Sequence, residues 1–305
     1  MTREKAYGHA MVFTANVIFG LNVPITQILL SSCMTPMGYT LSRVLFVSAV
    51  FWIAGLFCKK EHVRPKDLLL IAAGGFFGFI LSQLVFAVGI THTTPVHWSL
   101  ITAMSPIIVM LLAALFLKEP VTRMKVVGVA LGVGGAVLLI SRSEMSGDAG
   151  SSNMFGIFLS VISNTAYAVY LIITRSVSQR YSPLTMMKWM FLFTSLMLLP
   201  FGLPELLEQP VYTGNADWKS LAMLAFVLVG ATGISYFLVP FALKFLRATT
   251  VSIYMNLQPI VASIAAIWIG QDTFTWDKPV ALVLVIAGAI VVTHSPSKED
   301  MKQQN

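Results

Sequence analysis

Apolar runs of about 20 residues, each ended by a short group of charged or turn-forming residues, recur along all 305 positions of the chain. A helix needs about that length to cross the hydrocarbon core of a bilayer. The pattern predicts spans near residues 8–30, 36–57, 67–89, 94–117, 123–141, 154–174, 182–203, 218–243, 248–270 and 277–294. The first run is too long for a signal-peptide core and reads as an uncleaved span. The expected fold class is therefore an all-α membrane protein with ten transmembrane helices.

The most polar stretch between spans, around Ser141 to Asn153, divides the chain near its middle. A shift of 153 residues, without gaps, sets Ser82 on Ser235, Ser99 on Ser252, Pro106 on Pro259 and Gly135 on Gly288. A slightly smaller shift sets Asn16 on Asn164 and Pro36 on Pro183. One register kept over three spans predicts two repeats, residues 1–145 and 146–305, of five helices each. An odd number of spans forces the second repeat to lie upside down relative to the first, the inverted arrangement that favours alternating access to a central site.

Composition agrees with a membrane setting: 56% of residues are hydrophobic and 11% charged, whereas soluble domains run near about 45–50% and 25%. The +7 net charge could point to nucleic acid, but the basic residues are scattered at helix ends and form no patch that would track phosphates. Topology accounts for them. Of the 20 Lys and Arg, 15 fall on the side of the termini, Arg142, Lys219 and Lys278 on the other, and Arg43 and Lys188 within spans. The positive-inside rule then predicts cytoplasmic termini and a place in the cytoplasmic (inner) membrane. Cys33 and Cys58 bracket one span, about 37 Å apart at helical rise, too far to pair.

Two pairs of segments carry a family signature. Residues 105–122 read SPIIVMLLAALFLKEPVT and are followed by VVGVALGVGGAVLLI; residues 258–275 read QPIVASIAAIWIGQDTFT, with PVALVLVIAGAIVV after them. Each is a proline-containing helix, a turn resembling Gly-Glu-x-Leu-Thr, and a glycine-rich last helix. In this the chain resembles the EamA family of the drug/metabolite transporter superfamily over nearly its whole length. Glu119 matches the family acid, while Asp272, preceded by Gln271, stands where Glu is usual in the second half. The resemblance implies metabolite transport, with export as the direction, through a pathway enclosed by the first four helices of each repeat.

Polar groups within spans are the natural site candidates, because an unpartnered one is costly in hydrocarbon. The expected substrate-binding residues are Asn16, Asn22, Arg43, Gln83, Trp98, Asn164, Tyr167, Tyr170, Tyr236, Tyr254, Asn256 and Gln258, with Asn16, Arg43, Gln83, Asn164, Tyr167, Tyr254 and Gln258 lining the cavity. Tyr167, Tyr170 and Thr174 share one helical face, as do Tyr254 and Gln258. The competing account is that such groups only bond neighbouring helices, that Arg43 and Lys188 reach for the interface, and that Trp98 anchors there. Gly74 with Gly78, and Gly128 with Gly132, have the spacing of helix-packing glycines.

All 13 carboxylates are placed in loops, turns or tails, leaving none for a deep proton relay or for pairing with a cationic drug, so cation/proton antiport is disfavoured. The expected cargo is a small neutral, zwitterionic or anionic metabolite such as an amino acid. No catalytic residue, metal site or cofactor is expected. The rival readings are an intramembrane enzyme, which would have to rest on His97 alone, and a non-transporting sensor. The expected partners are a small-molecule solute and the lipid bilayer, no nucleic acid, with a homodimer as the assembly considered.

Overall fold

The computed structural model describes residues 3–58, 61–92, 102, 105–142, 151–214, 217–268 and 276–295. Ten helices and no strand occur among them. These are α1 (Arg3–Ser32), α2 (Pro36–Leu56), α3 (Pro65–Gly89), α4 (Ser105–Phe116), α5 (Arg123–Arg142), α6 (Ser151–Ser178), α7 (Pro183–Leu207), α8 (Trp218–Phe245), α9 (248–268) and α10 (Asp277–His294). Six, α1, α2, α3, α6, α7 and α8, are long and apolar enough to cross a membrane, and α4 and α10 are shorter apolar helices.

Local chemistry sets several of the starts. The Thr35 side chain accepts from the Gly38 N–H and Pro36 follows at the first helical position; Ser182 accepts from the Thr185 N–H and Pro183 follows. A hydroxyl cap satisfies an orphan amide, and proline loses nothing where its missing N–H has no partner. Asp217 begins α8 in the same way by accepting from the Ser220 N–H at 2.9 Å.

Three helices depart from regular α geometry. In α3, residues Phe76–Leu84 form a π-helical stretch, and Val227–Ile234 do so in α8. In α9 a 3-10 turn at Tyr254–Asn256 separates Ala248–Ile253 from Leu257–Trp268. Pro259 lacks the N–H that would bond the Met255 carbonyl, which accounts for the break. Glycines let neighbouring helices crowd the first π stretch: a Cβ on Gly78 would lie 2.4 Å from the Tyr170 ring, and one on Gly75, just before it, would lie 2.6 Å from Thr194 Oγ1.

The helices pair as α2 with α7, α5 with α10, α1 with α8 and α9, and α6 with α3 and α4. The α5–α10 contact is backbone against backbone. A Cβ on Gly128 would stand 2.8 Å from the Gly288 carbonyl oxygen, so this close approach requires glycine, as the spacing predicts.

One end of the bundle gathers the starts of α7 and α9 with the ends of α2, α4, α6 and α8, and is called here the terminus face. There Glu61 accepts from the Ser182 N–H at 3.0 Å, and Arg180 donates to Asp67 at 2.5 Å while Tyr181 donates to the other carboxylate oxygen at 2.7 Å. Glu119 accepts from Lys125 at 2.7 Å and from Thr249 at 2.6 Å. At the far face, Gln209 accepts from the Thr35 N–H at 2.7 Å and Tyr212 donates to Ser42 at 2.8 Å. The largest apolar core lies toward the terminus face; a smaller one, with Leu29, Met34, Tyr39 and Leu224, lies toward the far face.

Candidate functional site

A cavity of about 100 Å³ opens between α1, α3, α6, α8 and α9, room for several waters or a small solute. Of the expected residues, Asn22, Gln83, Asn164, Tyr167, Tyr236 and Gln258 line it. Phe19, Phe86 and Met255 supply apolar wall, and Ser82, Thr102 and Ser163 add hydroxyls.

The π stretches help to build this wall. Ser82 and Gln83 sit in the first, and the second carries Thr232, whose side chain accepts from Arg43 Nε at 2.7 Å. The break in α9 comes just before Gln258 and Pro259, both at the cavity. Irregular backbone is tolerated at membrane depth where it faces protein or a cavity.

Arg43, Asn16 and Tyr254 stand one layer behind. Arg43 is 2% exposed, donates from Nη1 to Gln83 Oε1 at 3.2 Å, and lies 5.1 Å from the centroid of the Tyr39 ring. The Tyr236 hydroxyl feels its charge but does not meet hydrogen-bond geometry. Arg43 therefore reaches the cavity through Gln83 and Tyr236 rather than forming its surface, because Thr232 and Tyr39 hold the guanidinium back. Nη2 has no partner among the described residues, and no carboxylate there bonds this cation.

Asn16 and Asn164 make corresponding bonds. Asn16 donates to its own helix at Val12 O, 2.8 Å, and accepts from Gln258 Nε2 at 2.9 Å. Asn164 donates to Ser160 O at 2.9 Å and accepts from Ser105 Oγ at 2.5 Å. Gln258 and Ser105 are matched positions in the 153-residue register.

Below the cavity, toward the terminus face, Phe79, Tyr170, Phe191 and Tyr236 form an aromatic layer, with Phe79 4.2 Å from Phe191 and 4.6 Å from Tyr236 between centroids. Tyr170 belongs to this layer, its ring 5.3 Å from Tyr167. Tyr254 bonds His9, OH to Nδ1, at 2.8 Å. Asn256 is fully buried with both amide atoms unpartnered, its amide nitrogen near Gly132. Lys188 lies 5.3 Å from the Trp52 ring. Trp98 and His97 lie outside the described residues, as do Gln271 and Asp272.

Among the described residues, no three His, Cys, Asp or Glu side chains converge as metal ligands, and Cys33 and Cys58 are unpaired. At the terminus face, burial opposes ionisation of Glu61, but hydrogen bonds from Thr185 and Ser182 outweigh it and hold the carboxyl below its usual range. Sequence reasoning passed over the lining hydroxyls of Ser82 and Ser163 and, away from the cavity, Gln209. Gln209 is 2% exposed and also donates to Thr35 Oγ1 at 3.0 Å, but lies beyond the predicted spans, where a polar side chain raises no alarm.

Comparison with known proteins places these features among transporters. A model of the EamA-like transporter family matches residues 6–141 and again 154–294. An uncharacterized transporter of Archaeoglobus fulgidus is 24% identical over 259 residues, 85% of this chain and 89% of that one. The Bacillus subtilis uncharacterized transporter YyaM is 25% identical over 77% of this chain and 76% of its own. A Streptantibioticus cattleyicolor protein named "Probable terminal-alkyne amino-acid exporter" is 27% identical over 84% and 83%. A solved crystal structure has the same fold, with a TM-score of 0.73 at 17% identity over 98% of this chain and 99% of that one.

Proposed function

We propose that this chain, which belongs to the EamA-like transporter family, moves a small neutral, zwitterionic or anionic solute such as an amino acid across the membrane by alternating access. It is a multi-pass membrane protein. The reading places it in the inner membrane with cytoplasmic termini, has it work as an exporter, and builds it from two inverted five-helix repeats, residues 1–145 and 146–305.

The observation that carries the solute class is the cavity itself. Its polar wall consists of amides and hydroxyls, and the nearest charge behind them is the buried Arg43, with no carboxylate among the lining residues. A fixed positive charge in a low-dielectric interior favours a carboxylate and disfavours a cation. Asn22 Oδ1, buried at the cavity without a partner, offers an acceptor for an ammonium or hydroxyl group.

Several features support the two-repeat reading. The family model matches twice, both π stretches fall in the third helix of their half, and Asn16–Gln258 answers Asn164–Ser105. The cavity draws on matched positions of both halves, Gln83 with Tyr236 and Thr102 with Met255. Such a site at the interface of inverted repeats is the arrangement that lets one half rock against the other. The aromatic layer lies between the cavity and the terminus face.

The test is flux of labelled amino acids, organic anions, sugars and organic cations into vesicles containing the purified protein. Saturable movement of a carboxylate-bearing or neutral solute, and none of cations, is expected. No saturable flux for any member would remove the transport reading, and flux of cations alone would remove the solute class.

A further inference from the structure

Two hydrogen bonds join α1 to α9 along one seam. Asn16 and Gln258 bond at the cavity; seven residues earlier on α1, His9 Nδ1 meets the Tyr254 hydroxyl at 2.8 Å. His9 and Asn16 fall on one face of α1, and Tyr254 and Gln258 on one face of α9. The second nitrogen, His9 Nε2, is buried and has no hydrogen-bond partner among the described residues.

Among the described residues, few groups face His9. Lys5 lies on its own helix, His294 on α10 and Tyr254 on α9. The residue brought by the end of α8 at this level, Leu246 against Gly8, is uncharged. Among the described residues no carboxylate bonds the ring or lines the cavity, and His9 is the side chain making a seam bond whose ordinary titration lies in the physiological range.

We propose that His9 is a proton-binding site that couples the conformational cycle to a proton. A neutral imidazole keeps the Tyr254 bond and leaves one buried nitrogen without a partner. Imidazolium carries a donor on both nitrogens, and a charged N–H at Nε2 without an acceptor is far costlier than a neutral orphan. Uptake of a proton therefore favours the conformer in which Nε2 meets water, with the seam parted at the terminus face. Loss of the proton favours the closed seam described above. Because Gln258 belongs to the same seam and to the cavity, solute and proton each alter the affinity for the other.

This rests on the transport reading for its meaning, but its test does not require a solute. In a Cys33→Ser, Cys58→Ser background, Val12→Cys places a thiol on α1 between the two bonds, at a fully buried position. Its labelling rate with a water-soluble maleimide is measured from about pH 8 to 5.5. At each pH the rate is divided by that of the same protein carrying His9→Gln, or His9→Asn should the first variant not fold, which cancels the pH dependence of the thiol. The ratio is expected to rise at least about threefold as pH falls, and His294→Gln is expected to retain that rise. A flat ratio, or a rise abolished by His294→Gln, would overturn the assignment. A failed flux panel and a failed labelling ratio are thus separate results.

Discussion

Helices α2 and α7 begin alike and diverge seven residues in. Each starts with a hydroxyl cap and a proline, and each cap is held by a side chain from the other half, Thr35 by Gln209 and Ser182 by Glu61. At the same distance from their prolines, α2 then carries Arg43 and α7 carries Met190, both buried. Arg43 bonds Gln83 of the cavity wall from behind; Met190 packs against Gly74 and Gly75 in the apolar core toward the terminus face. Two helices of matching design thus put a charge behind the cavity wall and a thioether in the apolar core.

The contrast breaks most severely if the charge is moved to the wrong helix. Met190→Arg buries a guanidinium without a partner and is expected to destabilise the protein by about 3 kcal/mol or more, read as a large drop in melting temperature of the purified protein. The reverse change, Arg43→Met, makes the helices alike. It should leave folding intact and weaken binding of carboxylate-bearing solutes at least about tenfold, about 1.4 kcal/mol, by equilibrium binding, with neutral solutes affected less. Unequal losses between the two solute classes sharpen the comparison; equal losses remove the electrostatic account.

The caps differ more quietly. Gln209→Ala strips Thr35 of two bonds in a buried setting and should cost about 1–2 kcal/mol of thermal stability, whereas Glu61→Ala at an exposed site should cost a few tenths, about 0.5 kcal/mol at most. The Glu61 carboxyl titrates lower in the folded chain than in the unfolded one. Its contribution is therefore complete above the ordinary carboxylate range and disappears as pH falls through the depressed folded value. A melting curve repeated from neutral to acidic pH should show a small loss that Glu61→Gln abolishes, while the amide at Gln209 gives none.

Much of this was legible in the sequence, for reasons that can be named. Thr35-Pro36 and Ser182-Pro183 announce helix starts through their own side chains, and the spacing of Gly128 and Gly132 announces a close helix approach, which the structure shows to be against Gly288. The π stretches were not legible: Phe76–Leu84 reads as ordinary helix, and only the Tyr170 ring and Met190 lying against neighbouring glycines show the crowding around it. The distinction between Gln83 at the cavity and Arg43 behind it was also hidden. Both are polar residues within spans, and which one meets the opening depends on Thr232, from a helix nearly 190 residues away in the chain.

Arg43 also decides what the membrane voltage can do. A charge that crosses the whole membrane exchanges about 2.3 kcal/mol with each 100 mV of potential. Arg43 stays with the protein, so on the proposed reading a zwitterion that crosses without a coupled proton carries no net charge and the voltage gives it no direction. A monoanion leaving a cell with a negative interior would be driven outward by that potential alone. On the proposed reading, the two solute classes that the buried guanidinium favours thus have different driving forces: one must borrow its gradient from elsewhere, and the other has it from the electric field.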